Sequence, residues 1–425
     1  MWTRLIDRFL HRFVCHGTLH LTYPDGAQRR YGAGPPEVGV RLTDPALLRR
    51  LTINPSLAAG EGYMNGTLQI EGDDLYGLVE LGLRNMARGP AGLLQGMNQM
   101  LRNAGRRLAQ ANPAGRARRN VAHHYDLSGA LYDLFLDADR QYSCAYFARP
   151  DMTLEEAQAA KKAHIAAKLR LQPGMRVLDV GCGWGGMALT LAREHGVQVT
   201  GITLSQEQLS VARARARNAG LDGRVRFALS DYRALEGRFD RIVSVGMFEH
   251  VGVPHYRRYF GCLRERLTED GVALVHTIGR VSPPASTNPW IAKYIFPGGY
   301  VPALSEVMAA VEKEALWPCD IEVWRLHYAE TLRHWHDRFM ANIDRARALY
   351  DDRFCRMWRF YLVGSEQTFR HAGQAVFQLQ LARRSDAVPL TRDYLYRTDD
   401  AAGTRAAERR GVPGGANGRL RAQIP

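Results

Sequence analysis

The stretch Arg176-Val-Leu-Asp-Val-Gly-Cys-Gly-Trp-Gly-Gly186 decides the fold. Val177, Leu178 and Val180 read as a short buried strand. Gly181, Gly183, Gly185 and Gly186 follow as a turn in which backbone can approach a ligand closely. Met187 to Arg193 carries helical spacing, so the turn opens onto a helix N-terminus. Strand, glycine turn and helix is the plan of a nucleotide-binding βαβ unit. Any doubly wound domain can contain a glycine-rich turn, so the flanks must decide what the turn holds.

Gln198-Val-Thr-Gly-Ile202 supplies the next strand of such a unit. A dinucleotide site places Asp or Glu at the end of that strand to hold a ribose hydroxyl. Here the chain runs Thr203-Leu-Ser-Gln-Glu-Gln208, with no carboxylate at the expected point, so NAD is disfavoured. Asp179 lies before the glycines, placed to approach a ligand's amino group. Asp179-Val-Gly-Cys-Gly183 resembles the first motif of S-adenosylmethionine-dependent methyltransferases.

Further strands read at Val225–Leu229, Phe239–Val245 and Gly271–Ile278. Ligands bind at the carboxyl ends of the strands in such sheets. Asp179, Asp231, Glu249 and His276 all fall at or just past strand ends. Thr153 with Glu156 makes a capping box for a helix running to Leu171. Prolines and glycines from Arg280 to Tyr300 forbid regular structure and, with Trp290, Tyr294 and Phe296, mark an apolar lid. Thr331 to Tyr350 and Phe354 to Gln380 read as long aromatic-rich helices.

The 425 residues, 46% hydrophobic, are enough for two domains. We expect an N-terminal α+β domain over 1–100, a basic linker over 101–120, a catalytic domain over 121–396 and a disordered tail over 397–425. The stripe Trp2, Leu5, Ile6, Phe9, Leu10 and Phe13 reads as a helix packed on its own domain. Tyr63-Met-Asn-Gly66 and Asp73-Asp-Leu75 read as turn and cap chemistry. The net charge of +14 favours nucleic acid or an anionic membrane surface. No nucleic-acid reading element is identifiable. Six scattered cysteines show no metal-ligand spacing, so no metal is expected, and they fit reduced thiols in a cytosol. No apolar run is long enough to span a bilayer.

His124-Tyr-Asp126, Tyr142-Ser-Cys-Ala-Tyr-Phe147, the glycine motif, Phe248-Glu-His-Val-Gly252 and His276-Thr-Ile-Gly279 together resemble the cyclopropane-fatty-acyl-phospholipid synthases. The likeness runs from about Leu51 to Tyr396. It implies a Rossmann-like class I methyltransferase domain in the α/β class, with helical and lid additions and a small N-terminal α+β domain. It implies S-adenosylmethionine along the glycine turn, lined by Tyr142, Ser143, Asp179, Gly181, Gly183, Thr203, Gln208, Asp231 and Tyr232. It also implies a bicarbonate ion at Cys144, Glu249, His276, the Ile278 backbone and Tyr328. The substrate it implies is a phospholipid bilayer with cis-unsaturated acyl chains, met by a cytoplasmic, peripheral enzyme at the inner face of the membrane. A homodimer is one assembly the sequence allows. A relative of the same chemistry stops at a methyl- or methylene-branched acid. A small-molecule methyltransferase needs neither lid nor N-terminal domain. A silent lipid-binding protein would have lost Cys144, Glu249 or His276, and none is lost.

Overall fold

Alternating burial builds the first sheet. Strands β1 (Gly17–Thr22), β2 (Gln28–Ala33), β3 (Glu37–Leu42) and β4 (Leu68–Ile70) lie in the order β2-β1-β3-β4. In β2 only Tyr31 is buried, and its hydroxyl donates to Asp7 at 2.7 Å. Helix α1 (Trp2–Phe13) carries that aspartate and buries Ile6 against the sheet, so the N-terminal stripe packs inward as expected. Helices α2 (Pro45–Ile53), α3 (Pro55–Met64) and α4 (Leu75–Met86) complete this α+β layer. Helix α5 (Leu93–Ala109) follows.

The computed structural model describes residues 1–86, 93–110 and 128–396. The His124-Tyr-Asp126 motif, the linker past residue 110 and the tail from 397 lie outside the described residues. Met1–Val388 form one compact unit, and Pro389–Pro425 a second, whose described part carries a single short turn at Arg392–Leu395.

The larger sheet of the first unit has seven strands: β5 (Arg176–Val180), β6 (Gln198–Thr203), β7 (Val225–Leu229), β8 (Phe239–Val245), β9 (Leu267–Arg280), β10 (Trp317–Trp324) and β11 (Gln374–Ala382). The order is β10-β11-β9-β8-β5-β6-β7, with β11 antiparallel to both its neighbours and the ladders from β9 to β7 parallel. Strand order reverses at β5, between β6 and β8. That is the crevice where open α/β sheets take ligands.

Around this sheet lie a single turn α6 (Gly129–Tyr132), then α7 (Leu154–Leu169), α8 (Gly186–His195), α9 (Gln206–Asn218) and α10 (Tyr256–Arg266). Then come α11 (Pro289–Tyr294), α12 (Leu304–Lys313), α13 (His327–Ala341), α14 (Ile343–Leu349) and α15 (Asp352–His371). The capping box of α7 forms as the sequence predicts, with Thr153 and Glu156 bonded reciprocally.

Several expectations change: residues 101–109 of the expected linker continue helix α5, and the helix read over Thr331 to Tyr350 breaks at Asn342 between α13 and α14. The helical reading of Phe354–Gln380 ends at His371, because Gly373 takes a positive φ of 68° and the chain turns into β11. Gln378 and Gln380 are fully buried there, so polar residues disguised a central strand. The lid is not wholly irregular either. Asn288 accepts from the Trp290 amide at 2.8 Å and Pro289 occupies the first helical turn, which together start α11.

Helix α11 docks on α3. Trp290 is buried, with its indole N–H 3.1 Å from Met64 Sδ. A Cβ on Gly60 would stand 2.5 Å from Trp290 Cδ1, so only glycine lets the two helices meet this closely. Glu61 then receives Lys293 Nζ at 2.7 Å, the Tyr294 hydroxyl at 2.8 Å and the Arg50 guanidinium.

Candidate active site

A cleft of about 1210 Å³, part of it open to solvent, lies at the carboxyl ends of β5 to β8. Its floor is the glycine turn. Gly181 and Gly183 have φ of 81° and 54°, which only glycine adopts without strain. The Gly181 and Cys182 amides both donate to the Ile202 carbonyl at 2.9 Å, tying the turn to β6. A Cβ at Gly186 would sit 2.4 Å from Gln141 Nε2 and 2.5 Å from Asp139 Oδ2. Its absence lets residues 139–143 lie across the N-terminus of α8 and wall the cleft.

All nine residues expected at the cofactor line this one cleft: Tyr142, Ser143, Asp179, Gly181, Gly183, Thr203, Gln208, Asp231 and Tyr232. Asp179 is buried, and its Oδ2 has no hydrogen-bond partner. Burial pushes its carboxyl up to about 7, and the nearby Lys161 charge draws it back in part. An orphaned carboxylate oxygen at a glycine turn fits an incoming ammonium. Thr203 Oγ1 donates to Gln208 Oε1 at 2.8 Å, and Ser205 caps α9 through the Gln208 amide at 3.2 Å. Two uncharged polar side chains are thereby fixed where a dinucleotide site has its acid. Asp231 is held by Arg233 through 2.8 and 2.5 Å bonds.

The five positions expected to hold bicarbonate are not among the residues that line the cleft. Glu249 sits on a short turn, Phe248–His250, between the cleft residues Met247 and His250. Its Oε1 accepts from the Ile278 amide at 2.7 Å, while Oε2 is buried without a partner. Burial raises this carboxyl to about 7 against the backbone bond's opposing pull. His276 stands two residues before Ile278 on β9, so both side chains leave the same face of the strand. It is buried, and burial pulls it well below the usual imidazole range, keeping it neutral. Gln378 Nε2 lies 3.1 Å from His276 Nδ1. An amide nitrogen can only donate, so the ring proton belongs on Nε2. Cys144 is fully buried, its thiol pushed up by burial and donating to the Ala145 carbonyl at 3.3 Å. Tyr328, on α13, packs its ring on Trp335 and Phe369.

An aromatic cage adjoins both sets. Tyr142 stacks on Trp335 at 5.1 Å, its hydroxyl meets that of Tyr361 at 2.8 Å, and Tyr132 meets Trp184 edge-on at 5.0 Å. Sequence reasoning missed Lys161, Gln141, His250 and Gln378. The one available signal for Lys161 was a lysine on the apolar stripe of a capped helix, in register with Leu154, Ala157 and Ile165.

The seven-stranded sheet with one antiparallel strand, and a glycine turn preceded by an orphaned acid, define a class I S-adenosylmethionine-dependent methyltransferase. Comparison with known proteins carries this further. Residues 113–379 match the family described as mycolic acid cyclopropane synthetase, and residues 6–87 match a domain of unknown function. The chain therefore belongs to the mycolic acid cyclopropane synthetase family. It is 38% identical to the cyclopropane-fatty-acyl-phospholipid synthase of Escherichia coli, over 83% of this chain and 89% of that one. It is also 38% identical to a probable fatty acid methyltransferase of Pseudomonas putida, over 90% of this chain and 97% of that one. Among solved structures, mycolic acid cyclopropane synthase CmaA1 complexed with SAH and CTAB is 35% identical. It covers 64% of this chain and 99% of its own, with a TM-score of 0.59.

Proposed function

We propose that this enzyme transfers a methylene from S-adenosylmethionine across the cis double bond of unsaturated acyl chains in membrane phospholipids, closing a cyclopropane ring. The observation that carries the reading is Glu249. Its Oε2 is shielded without a partner on a turn that adjoins the cofactor cleft, while its Oε1 is fixed by the Ile278 amide of β9, the strand that also carries the neutral His276. A plain methyltransferase for small molecules has no use for such a pair.

S-adenosylmethionine, when bound, supplies an electrophilic methyl on a sulfonium. Asp179 would hold its ammonium, and Thr203 with Gln208 would receive its ribose. Tyr142, Ser143, Asp231 and Tyr232 would complete the walls. An alkene is a weak nucleophile, so the chain must align it tightly and keep water out. The rings of Tyr142, Trp335 and Tyr361, packed together beside the cleft, would stabilise the positive charge that grows on the acyl chain. A proton must then leave the new methyl group before the ring closes. Bicarbonate, when bound, supplies the base for that proton. Glu249 Oε2, the His276 imidazole, Cys144 and Tyr328 would hold it directly, with the Ile278 backbone behind Glu249. The Ile278 N–H is already spent on Glu249, so its amide acts by aiming that carboxyl.

Phospholipid is the substrate we favour because the chain is strongly basic and no helix among the described residues is long and apolar enough to cross a membrane. On this reading such a protein would reach acyl chains from the surface of an anionic leaflet, and the inner face of the membrane is the location we assign to it. The purified enzyme, incubated with S-adenosylmethionine and cis-unsaturated phospholipid vesicles, is expected to yield fatty acids heavier by one methylene that resist mild hydrogenation. The same mass gain with a reducible double bond would assign a branched product instead. No mass change despite cofactor binding would remove the lipid reading.

A further inference from the structure

Helix α7 carries three lysines toward the interior, and two are paired. Lys162 Nζ lies 2.6 Å from Asp139 Oδ2, and Lys168 Nζ lies 2.5 Å from Glu322 and 3.3 Å from Asp320. Lys161 differs. It is fully buried, and its ammonium donates to two neutral acceptors, Gln141 Oε1 at 2.7 Å and Ser143 Oγ at 2.8 Å. No carboxylate among the described residues forms an ion pair with it.

A buried ammonium that forms no ion pair is unfavourable, because its desolvation is only partly offset by neutral acceptors and by carboxylates beyond contact. Burial accordingly draws Lys161 down to about 8. The groups whose charge reaches it are Asp137 and Asp139 from the preceding loop, Cys144 beyond Ser143, and Lys162 on its own helix. It acts in turn on Asp179 at the end of β5 and on His276 of β9. Lys161 thus stands between the cofactor cleft and the anion site, and both its hydrogen bonds enter the segment 141–144 that separates them.

Asp179 does not resolve the imbalance, because its free oxygen is matched to the cofactor's ammonium. A further anion does. We infer that Lys161 is a positioning residue for the bicarbonate site, supplying through Ser143 and the Cys144 segment the positive field that holds an oxyanion at Cys144, Glu249 and His276. It does not touch the ion. The inference rests on the anion reading above and adds to it the charge that makes an anion stable in a buried pocket beside a carboxyl.

The test uses full-length protein saturated with S-adenosylhomocysteine, so that cofactor affinity drops out. Binding of ¹³C-labelled bicarbonate is followed by carbon NMR line broadening for wild type, Lys161→Met and Lys161→Gln. The methionine removes charge and donors; the glutamine keeps a donor and removes the charge. Both are expected to weaken bicarbonate about tenfold or more, and to raise by a similar factor the bicarbonate concentration needed for half-maximal turnover. Bicarbonate bound equally by wild type and Lys161→Gln would overturn the inference and leave a structural lysine. A tenfold loss of S-adenosylhomocysteine affinity with bicarbonate unchanged would overturn it too, assigning the cation to the cofactor's carboxylate. A wild type that binds no bicarbonate would remove the anion reading itself and this inference with it. Separate S-adenosylhomocysteine binding and near-ultraviolet dichroism establish that each variant is folded.

Discussion

Asp179 and Glu249 share a physical state but not a task. Each buries one carboxylate oxygen without a hydrogen-bond partner, and each is raised by burial to about 7. The sign of the linkage follows from burial. Their folded values lie above the ordinary 3.8 and 4.5, so protonation stabilises the ligand-free fold at low pH. That contribution fades as pH rises from about 4 through about 7. Cofactor binding reverses the preference at Asp179, since an ammonium favours the carboxylate. Below pH 7 binding must expel a proton. Affinity for S-adenosylhomocysteine, measured by calorimetry, is therefore expected to tighten as pH rises, by up to about tenfold per unit, and to level off above about 7. Asp179→Asn should bind at least tenfold more weakly at pH 8 and show no such slope. Glu249→Gln should behave oppositely, binding the cofactor within about twofold of wild type while losing most turnover. A Glu249→Gln variant that loses cofactor affinity would contradict the separation of the two sites.

At the scale of elements, the sequence was legible wherever a local rule demanded one residue type. The glycine turn had to be glycine because of its positive φ values, and the α7 start declared itself through Thr153 and Glu156. Strand β11 was not legible, because its burial is decided by β9 and β10 on either side, about 100 and 50 residues upstream in the chain. Buried Gln378 and Gln380 look polar until their partners are known: His276 for one, the Lys168 carbonyl for the other. Lys161 was hidden for the same reason. Helix α11 escaped because prolines before and after it outweighed one good cap. Its seat on α3 makes a direct prediction. Gly60→Val forces a side chain into Trp290 and should destabilise the protein by about 1–3 kcal/mol, read by thermal unfolding. Cofactor affinity should hold, since the cleft lies elsewhere. An unchanged unfolding temperature would mean that α11 is free to shift.

For the molecule as a whole, the +14 charge and the surface of α5 bear on how lipid is reached. Met97, Met100 and Leu101 are exposed by 58%, 75% and 68%, at helical spacing that puts them on one side. The opposite side is anchored, with Asn103 bonded to the Ser286 amide and Arg106 paired with Glu306. If surface charge draws the enzyme to anionic lipid, co-sedimentation with phosphatidylglycerol vesicles should fall at least about fivefold between low and high salt, as screening shortens the field. Salt-independent binding would instead credit the apolar side of α5.

The docking of α11 on α3 also orders events in time. A ribosome delivers Gly60, Glu61 and Met64 more than two hundred residues before Trp290 and Lys293 emerge to cover them. Until then α3 carries a bare seat and an acid with only Arg50 for company. The first-made part of this chain is thus finished late, and the nascent protein must wait for its own lid before its beginning is sealed.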